Sequence, residues 1–359
     1  VIELPQGCRL AFCVGAGGVG KTTFSAALGL REALRGRSVL VLTADPARRL
    51  ADALGLGRLH DAPSTVALPK HAVGGALHAA MLETKRSADD IIRRATDDQG
   101  RAQRVLDNRI YQAFSNTLAR SHAYAAMERV HEAVHDPRYD LVVVDTPPAQ
   151  SSIEILEAPA RLVRFLDQRF VRWFLHAAED TPELGGGVIG RRLLRVVAGD
   201  SLVSALGEFL SEMAFLREGF ADRARQVRDL MRSSSTSFVL VSSGDRLGVE
   251  TAHSVLAEVT SRGFEIATVV FNRAFIPEVG RVAPAPVDYP DRLAGLAPKL
   301  RRMRTLLMEE EEQKQANMLA FSRGHAVGAW SLPEATRPLG DPSALAAWIE
   351  QARSVEPSS

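Results

Sequence analysis

Apolar residues fall in short blocks along this chain: Leu10–Val14, Ser38–Leu42, Leu141–Val144, Phe238–Val241 and Ala267–Phe271. Each block is apolar on both faces, a pattern that predicts strands covered on both sides, as in a parallel sheet. Amphipathic stretches separate them and predict helices at Phe24–Arg35, Val249–Ser261 and Pro290–Gln315. A last strand is expected near Ala326–Trp330 and a closing helix at Ser343–Ala352. Strands that alternate with helices define the α/β class, here a doubly wound, mostly parallel sheet with its ligands at the carboxyl ends of the strands.

Two stretches break the alternation. The span 75–134 is almost free of strand signal, and 160–231 reads as helices interrupted by the turn at Gly185–Gly187. Leu162, Leu166, Phe170, Trp173 and Phe174 share one helical stripe, and Leu202, Leu206, Phe209, Leu210, Met213 and Leu216 share another. Six of the fourteen phenylalanines lie between Phe165 and Phe220, a local excess. The stripes either pack on each other as a helical subdomain or form a groove for a hydrophobic partner. The expected organisation is a single domain over 1–359 with helical insertions at 75–134 and 160–231. The proline-rich stretch 276–289 is expected to be a loop.

Composition narrows the partners. A formal net charge of +1 with no basic run gives no footprint for nucleic acid, and the acidic run Glu309–Glu312 suits a solvated helix face. Cys8 and Cys13 flank the first strand too closely for a disulfide, which suits a reducing, cytoplasmic compartment. No run of about 18 apolar residues could span a bilayer and no secretory signal opens the chain, so any membrane contact is expected to be transient.

The chemistry lies in Gly15–Thr22, GAGGVGKT, a complete G-x-x-x-x-G-K-[ST] phosphate loop between the first strand and the first helix. Its glycines allow backbone N–H groups to turn inward on phosphate oxygens at a helix N-terminus. Gly15, Gly17, Gly18, Val19, Gly20, Lys21, Thr22 and Thr23 are the expected nucleotide contacts. Lys21 would reach the β- and γ-phosphates, and the Thr22 hydroxyl would ligate Mg²⁺. Val142-Val143-Val144-Asp145 has the Walker B form, which places Asp145 on Mg²⁺ through water. Asp45 ends the second strand. It is placed to hold the metal through water and to activate the water that attacks the γ-phosphate, and it could also cap a helix over Pro46–Leu54. No Asn-Lys-x-Asp signature for guanine is present. Asn272, with Arg273 beside it at the end of a late strand, carries an amide able to read adenine. ATP/ADP with Mg²⁺ is the expected ligand.

GAGGVGKTT, TADPARRLADALGL (Thr43–Leu56), VVVDTPP (Val142–Pro148) and VVFNRA (Val269–Ala274) together resemble the ArsA-type ATPases, a deviant-Walker family. That family includes the arsenite-pump ATPase and the ATPase that targets tail-anchored proteins. Met81–Arg86 resembles a piece of its bacterial members, and the likeness to bacterial homologues of the targeting ATPase is the strongest. The resemblance covers about residues 9 to 350. It implies ATP hydrolysis by a nucleotide-dependent dimer of identical or paralogous chains, with Switch I at Asp45 and Switch II at Asp145. It also implies a helical subdomain that binds a hydrophobic helix of a membrane protein. It assigns water activation to Asp45 and adenine to Asn272, and puts the Ser331–Ala335 loop, with Pro333 at its centre, near the base.

The sequence departs from the family pattern in two places. Ala16 stands where the family carries a lysine that crosses to the partner's phosphates, and Gln150 and Ser151 replace the Gly and His of Switch II. A phosphate cation supplied in trans is worth about 10³-fold or more. Slow turnover, a lysine-bearing partner subunit, or a substitute at Arg48 or Arg49 would each answer its absence. The alternatives are therefore a weakly hydrolysing, nucleotide-gated regulatory half of a heterodimer and an anion (arsenite) pump subunit. Partner positioning by a relative of MinD or ParA ranks last, because the tail 343–359 is short and mixed in charge. The arsenite role is disfavoured because As(III) needs clustered thiols, and no C-x-x-C zinc clasp exists.

Overall fold

Nine strands form one sheet in the order β3-β4-β2-β5-β1-β6-β7-β8-β9. They are β1 Leu10–Val14, β2 Ser38–Thr43, β3 Ser64–Thr65, β4 Ala76–Met81, β5 Leu141–Asp145, β6 Thr236–Ser243, β7 Ile266–Phe275, β8 Gly328–Pro333 and β9 Arg353–Ser354. The computed structural model describes residues 2–45, 48–69, 74–82, 98–108, 122–147, 225–275, 296–325 and 327–355. It also describes isolated positions between 89 and 112 and between 208 and 222. Every pairing from β4 across to β8 is parallel, and the two-residue edge strands β3 and β9 pair antiparallel. The central strands β1 and β5 are buried at every position, as their unbroken apolar runs require.

The helices follow the expected alternation: α1 Lys21–Leu34, α2 Arg49–Ala53, α3 Gln99–Asp107, α4 His122–His135, α5 Arg246–Ser261, α6 Ala297–Gly324 and α7 Pro342–Ile349. Asp245 and Asp341 cap α5 and α7 by accepting from Gly248 N and Ala344 N, each at 2.9 Å. The core on one face of the sheet joins Phe24, Leu28 and Leu30 of α1 to Leu345, Trp348 and Ile349 of α7. On β1 and β6, Phe12 and Phe238 stack at 5.1 Å, and Phe264 adds a third ring 5.2 Å from Phe238.

Three expectations change. The span 75–134 is not strand-free where it begins, because Ala76–Met81 joins the sheet beside β2. The long helix starts at Ala297 and runs on to Gly324, beyond Gln315. The helix after β2 starts at Arg49, with Arg48 at its N-cap position, so Asp45 does not cap it.

The chain divides into two compact units. The first, Val1–Leu82 with Ala133–Ser152 and Arg232–Ser359, contains the whole sheet. The second comprises Glu83–Glu132 and Ile153–Met231. In the second, α3 is capped by Asp98, which accepts from Arg101 N at 3.1 Å, and Glu212 takes ion pairs from Arg104 at 2.7 Å and Arg101 at 3.6 Å. The apolar stripes expected over 160–231 lie almost wholly outside the described residues, as do the 276–289 loop and positions 150–152.

Candidate functional site

The strand order reverses at β1: the chain leaves it for β2 on one side and later reaches β6 on the other. A doubly wound sheet opens its ligand crevice at such a point, and Gly15–Thr22 occupies it. Two of its glycines are dictated by what surrounds them. A Cβ on Gly15 would lie 2.0 Å from the Val241 carbonyl oxygen, so the loop leaves β1 pressed against β6. Gly20 sits at the N-cap of α1 with φ of 90°, and a Cβ there would lie 2.3 Å from Asn272 Nδ2. Lys21, the first residue of α1, is buried, and its Nζ donates to the carbonyls of Gly15 at 3.0 Å and Ala16 at 2.7 Å. Burial holds its ammonium below the usual pKa, opposed chiefly by the Asp145 carboxylate.

Asp145 ends β5 next to Thr43 at the end of β2, in register across the sheet. Thr43 Oγ1 donates to Asp145 Oδ2 at 2.9 Å, while Oδ1 is buried with no hydrogen-bond partner. Burial lifts this carboxyl from 3.8 to about 6, against the Thr22 and Thr43 hydroxyls and the Lys21 charge. An orphaned carboxylate oxygen beside the Thr22 hydroxyl, with Asp45 close by, is an all-oxygen donor set. Mg²⁺ favours one or two carboxylates completed by water and phosphate, so the residues present fit that ion. Among the described residues no group of three or more His, Cys, Asp or Glu could cage a metal unaided.

Asp45 stands at the mouth of the crevice, its backbone N–H donating to Thr43 Oγ1 at 3.2 Å and its Oδ2 3.6 Å from Arg49 Nη1. A cavity of about 690 Å³ opens here. Gly17, Gly18, Gly20, Lys21, Thr22, Thr23 and Asp45 line it, together with Arg273 from the end of β7. Another part of its wall is 335–340, the segment after β8, which contributes Ala335 and Arg337–Gly340. This wall has no motif in the sequence; only the strand order brings it to the loop.

Asn272 is buried, its Nδ2 donating to the Val19 carbonyl at 2.9 Å and its Oδ1 accepting from Arg273 N at 2.8 Å. Arg273 takes a left-handed backbone, φ 53°, where the pairing of β7 with β8 shifts register. Pro333 ends β8, buried, with its carbonyl accepting Trp348 Nε1–H at 2.9 Å; the cavity wall begins two residues later, at Ala335. Cys8 and Cys13 are buried free thiols, and burial pushes Cys13 up to about 12.

With this geometry in place, comparison with known proteins gives the assignment. A sequence profile described as anion-transporting ATPase matches residues 8–283. The chain belongs to the ArsA-type ATPase family. Among its relatives, the ATPase get3 of Aspergillus terreus is 25% identical over 278 residues, 76% of this chain and 75% of its own length. The ATPase GET3 of Paracoccidioides lutzii is 26% identical over 274 residues, 75% and 74% of the two chains. These relatives are fungal, whereas the motifs suggest bacterial homologues. As an ArsA-type ATPase the chain hydrolyses ATP. Among the described residues no helix is long and apolar enough to cross a membrane.

Proposed function

We propose that this ATPase is a Mg²⁺-dependent, dimeric switch that couples its nucleotide cycle to binding a hydrophobic segment of a membrane protein. The observation that carries the nucleotide half is the convergence of the phosphate loop and Asp45 on one crevice, with the buried, orphaned Asp145 Oδ1 beside Thr22 of its lining. The backbone N–H groups of Gly17–Gly20 and the Lys21 ammonium hold phosphate oxygens, which requires Lys21 to trade its carbonyl partners for phosphate. Thr22 with Asp145 and Asp45, the last two through water, would hold Mg²⁺, which would supply neutralisation of phosphate charge. Asp45 orients the water and takes its proton as the water oxygen bonds the γ-phosphorus and the bond to the β–γ bridging oxygen breaks. Arg273 and the wall at 335–340 frame the base and sugar, with Asn272 buried behind Arg273 and tied to the phosphate loop.

The client half is supported by the relatives named get3, by the aromatic-rich span 160–231, and by the sheet-bearing unit itself. There Leu296 at the N-cap of α6, with Leu300 and Met303 within it, stands exposed at helical spacing. The buried cysteines argue against arsenite activation through these thiols.

Steady-state ATP hydrolysis by the purified chain, with Asp45→Asn alongside, tests the catalytic half. Turnover that Asp45→Asn abolishes supports a self-sufficient site. Tight Mg-ATP binding without turnover would favour the second reading, which Ala16 motivates: a regulatory chain that needs a lysine-bearing partner. A photo-reactive transmembrane peptide that crosslinks nowhere within 160–231 or α6 would remove the client half.

A further inference from the structure

Arg49 is the first residue of α2, and its charge has no part in the hydrolytic scheme of Asp45, Lys21 and the metal. Its side chain is 69% exposed, its Nη1 lies 3.6 Å from Asp45 Oδ2, and it lines the same cavity as Gly17, Gly18 and Lys21. It is also near enough to Lys21 to bear on it: burial foremost, and the Arg49 charge with it, lower the Lys21 pKa. Arg49 is therefore near both the group assigned to activate water and the group assigned to hold phosphate.

Its two possible pairings differ in strength. A solvent-facing ion pair of this length is weak and screened by salt. A guanidinium on a phosphate makes forked, charge-assisted bonds to an anion of higher charge. A phosphate within reach would therefore outcompete Asp45 for Arg49, and of the two nucleotides only ATP presents one beyond the β-position.

We propose that Arg49 is a γ-phosphate sensor: it pairs with Asp45 when no γ-phosphate is in reach, and ATP draws it off, freeing Asp45 for the attacking water. The same swap keeps Asp45 from acting as a base unless the γ-phosphate is in place. The bond changes of hydrolysis are unaltered: the water oxygen bonds the γ-phosphorus, its proton passes to Asp45, and ADP leaves with the electron pair of the broken bond. The proposal rests on the crevice being an ATP site, and its test is built to fail separately from that reading.

The experiment is calorimetric titration of ADP and of a non-hydrolysable ATP analogue, both with Mg²⁺, into wild type, Arg49→Ala and Arg49→Lys. Losing a hydrogen-bonded charge lowers affinity about 10- to 100-fold, so Arg49→Ala should lose that much for the analogue. For ADP it should change by less than about threefold, since only an exposed pair is removed. Arg49→Lys should recover part of the analogue affinity. An unchanged ratio of analogue to ADP affinity in Arg49→Ala, with both nucleotides still bound, overturns the sensor alone. A wild-type chain that binds neither nucleotide overturns the ATP site and the sensor with it. Arg49 is exposed, so matching thermal unfolding of the variants separates a binding effect from a folding one.

Discussion

Asp145 concentrates the electrostatics of this protein in one side chain. It is buried, one oxygen is satisfied by Thr43 and the other is not, and its carboxyl titrates near 6. Unfolded, it would titrate at about 3.9. Between these values the folded chain holds more protons than the unfolded one, so stability falls as pH rises through the window and stays lower above it. The penalty of the ionised form is on the order of 3 kcal/mol. Asp145→Asn should remove most of that pH dependence and raise the stability of the nucleotide-free protein above pH 6 by about 1–3 kcal/mol. Urea unfolding at pH 5 and pH 8 would check it. The same variant should lose the Mg²⁺-dependent part of its nucleotide affinity. In the wild type that part should weaken below pH 6, by up to about tenfold per pH unit, because the ion must displace the proton. A stability gain accompanied by metal loss is the signature of a group retained for function.

At the scale of elements, the central strands were legible because burial on both faces leaves little room for polar residues: β1, the Leu141–Val144 run of β5 and the Phe238–Val241 middle of β6 read as apolar runs. β4 escaped because ALHAAM is built of helix-favouring Ala, Leu and Met around a histidine, and its place beside β2 is a tertiary fact. The phosphate loop, Asp45 and Asp145 were legible because each lies where a strand ends, and the motif includes its own strand. Beyond Ala335, which the family resemblance put near the base, the wall at 335–340 was not, since its neighbours across the crevice are far away in sequence. The Asp45–Arg49 pair was hidden by an expected helix start that the chain does not use.

Close packing makes two of these elements testable by single substitutions. Gly20→Ala puts a methyl group at a left-handed backbone position and against Asn272 Nδ2. It should cost about 1–2 kcal/mol from backbone strain alone and should release the hydrogen bond from Asn272 to Val19. Denaturant titration and amide exchange at the loop would read both effects. Trp348→Phe removes the donor to the Pro333 carbonyl from within the core. Its cost should be about 1–3 kcal/mol, and ADP affinity should hardly change, because this contact lies behind the cavity wall. If ADP affinity collapsed with the fold intact, α7 would belong to the binding site rather than to its support.

For the whole molecule, net charge is near zero, while Lys21, Arg49, Arg273 and Arg337 outnumber Asp45 and Asp52 around the cavity, a local excess of positive charge that suits phosphate. If the nucleotide cycle drives dimer formation, sedimentation should show a concentration-dependent shift to twice the monomer mass with Mg²⁺ and a non-hydrolysable ATP analogue. The monomer should return with ADP. ATPase rate per chain should then rise with protein concentration and level off once the dimer dominates. A monomer under every nucleotide would leave a paralogous partner as the one way to keep a dimeric cycle.

Asn272 has a consequence for how this ATPase can change over time. The side chain assigned to the base is already tied, through Nδ2, to the backbone of the phosphate loop, and its Oδ1 braces the left-handed turn at Arg273. A mutation there aimed at another nucleobase would therefore loosen the grip on every nucleotide at once. Adaptation to a new base is confined to the opposite bank, 335–340, where side chains line the cavity from outside any strand or helix. A selection for altered base preference should accordingly collect its substitutions at Arg337–Leu339 and leave Asn272 in place.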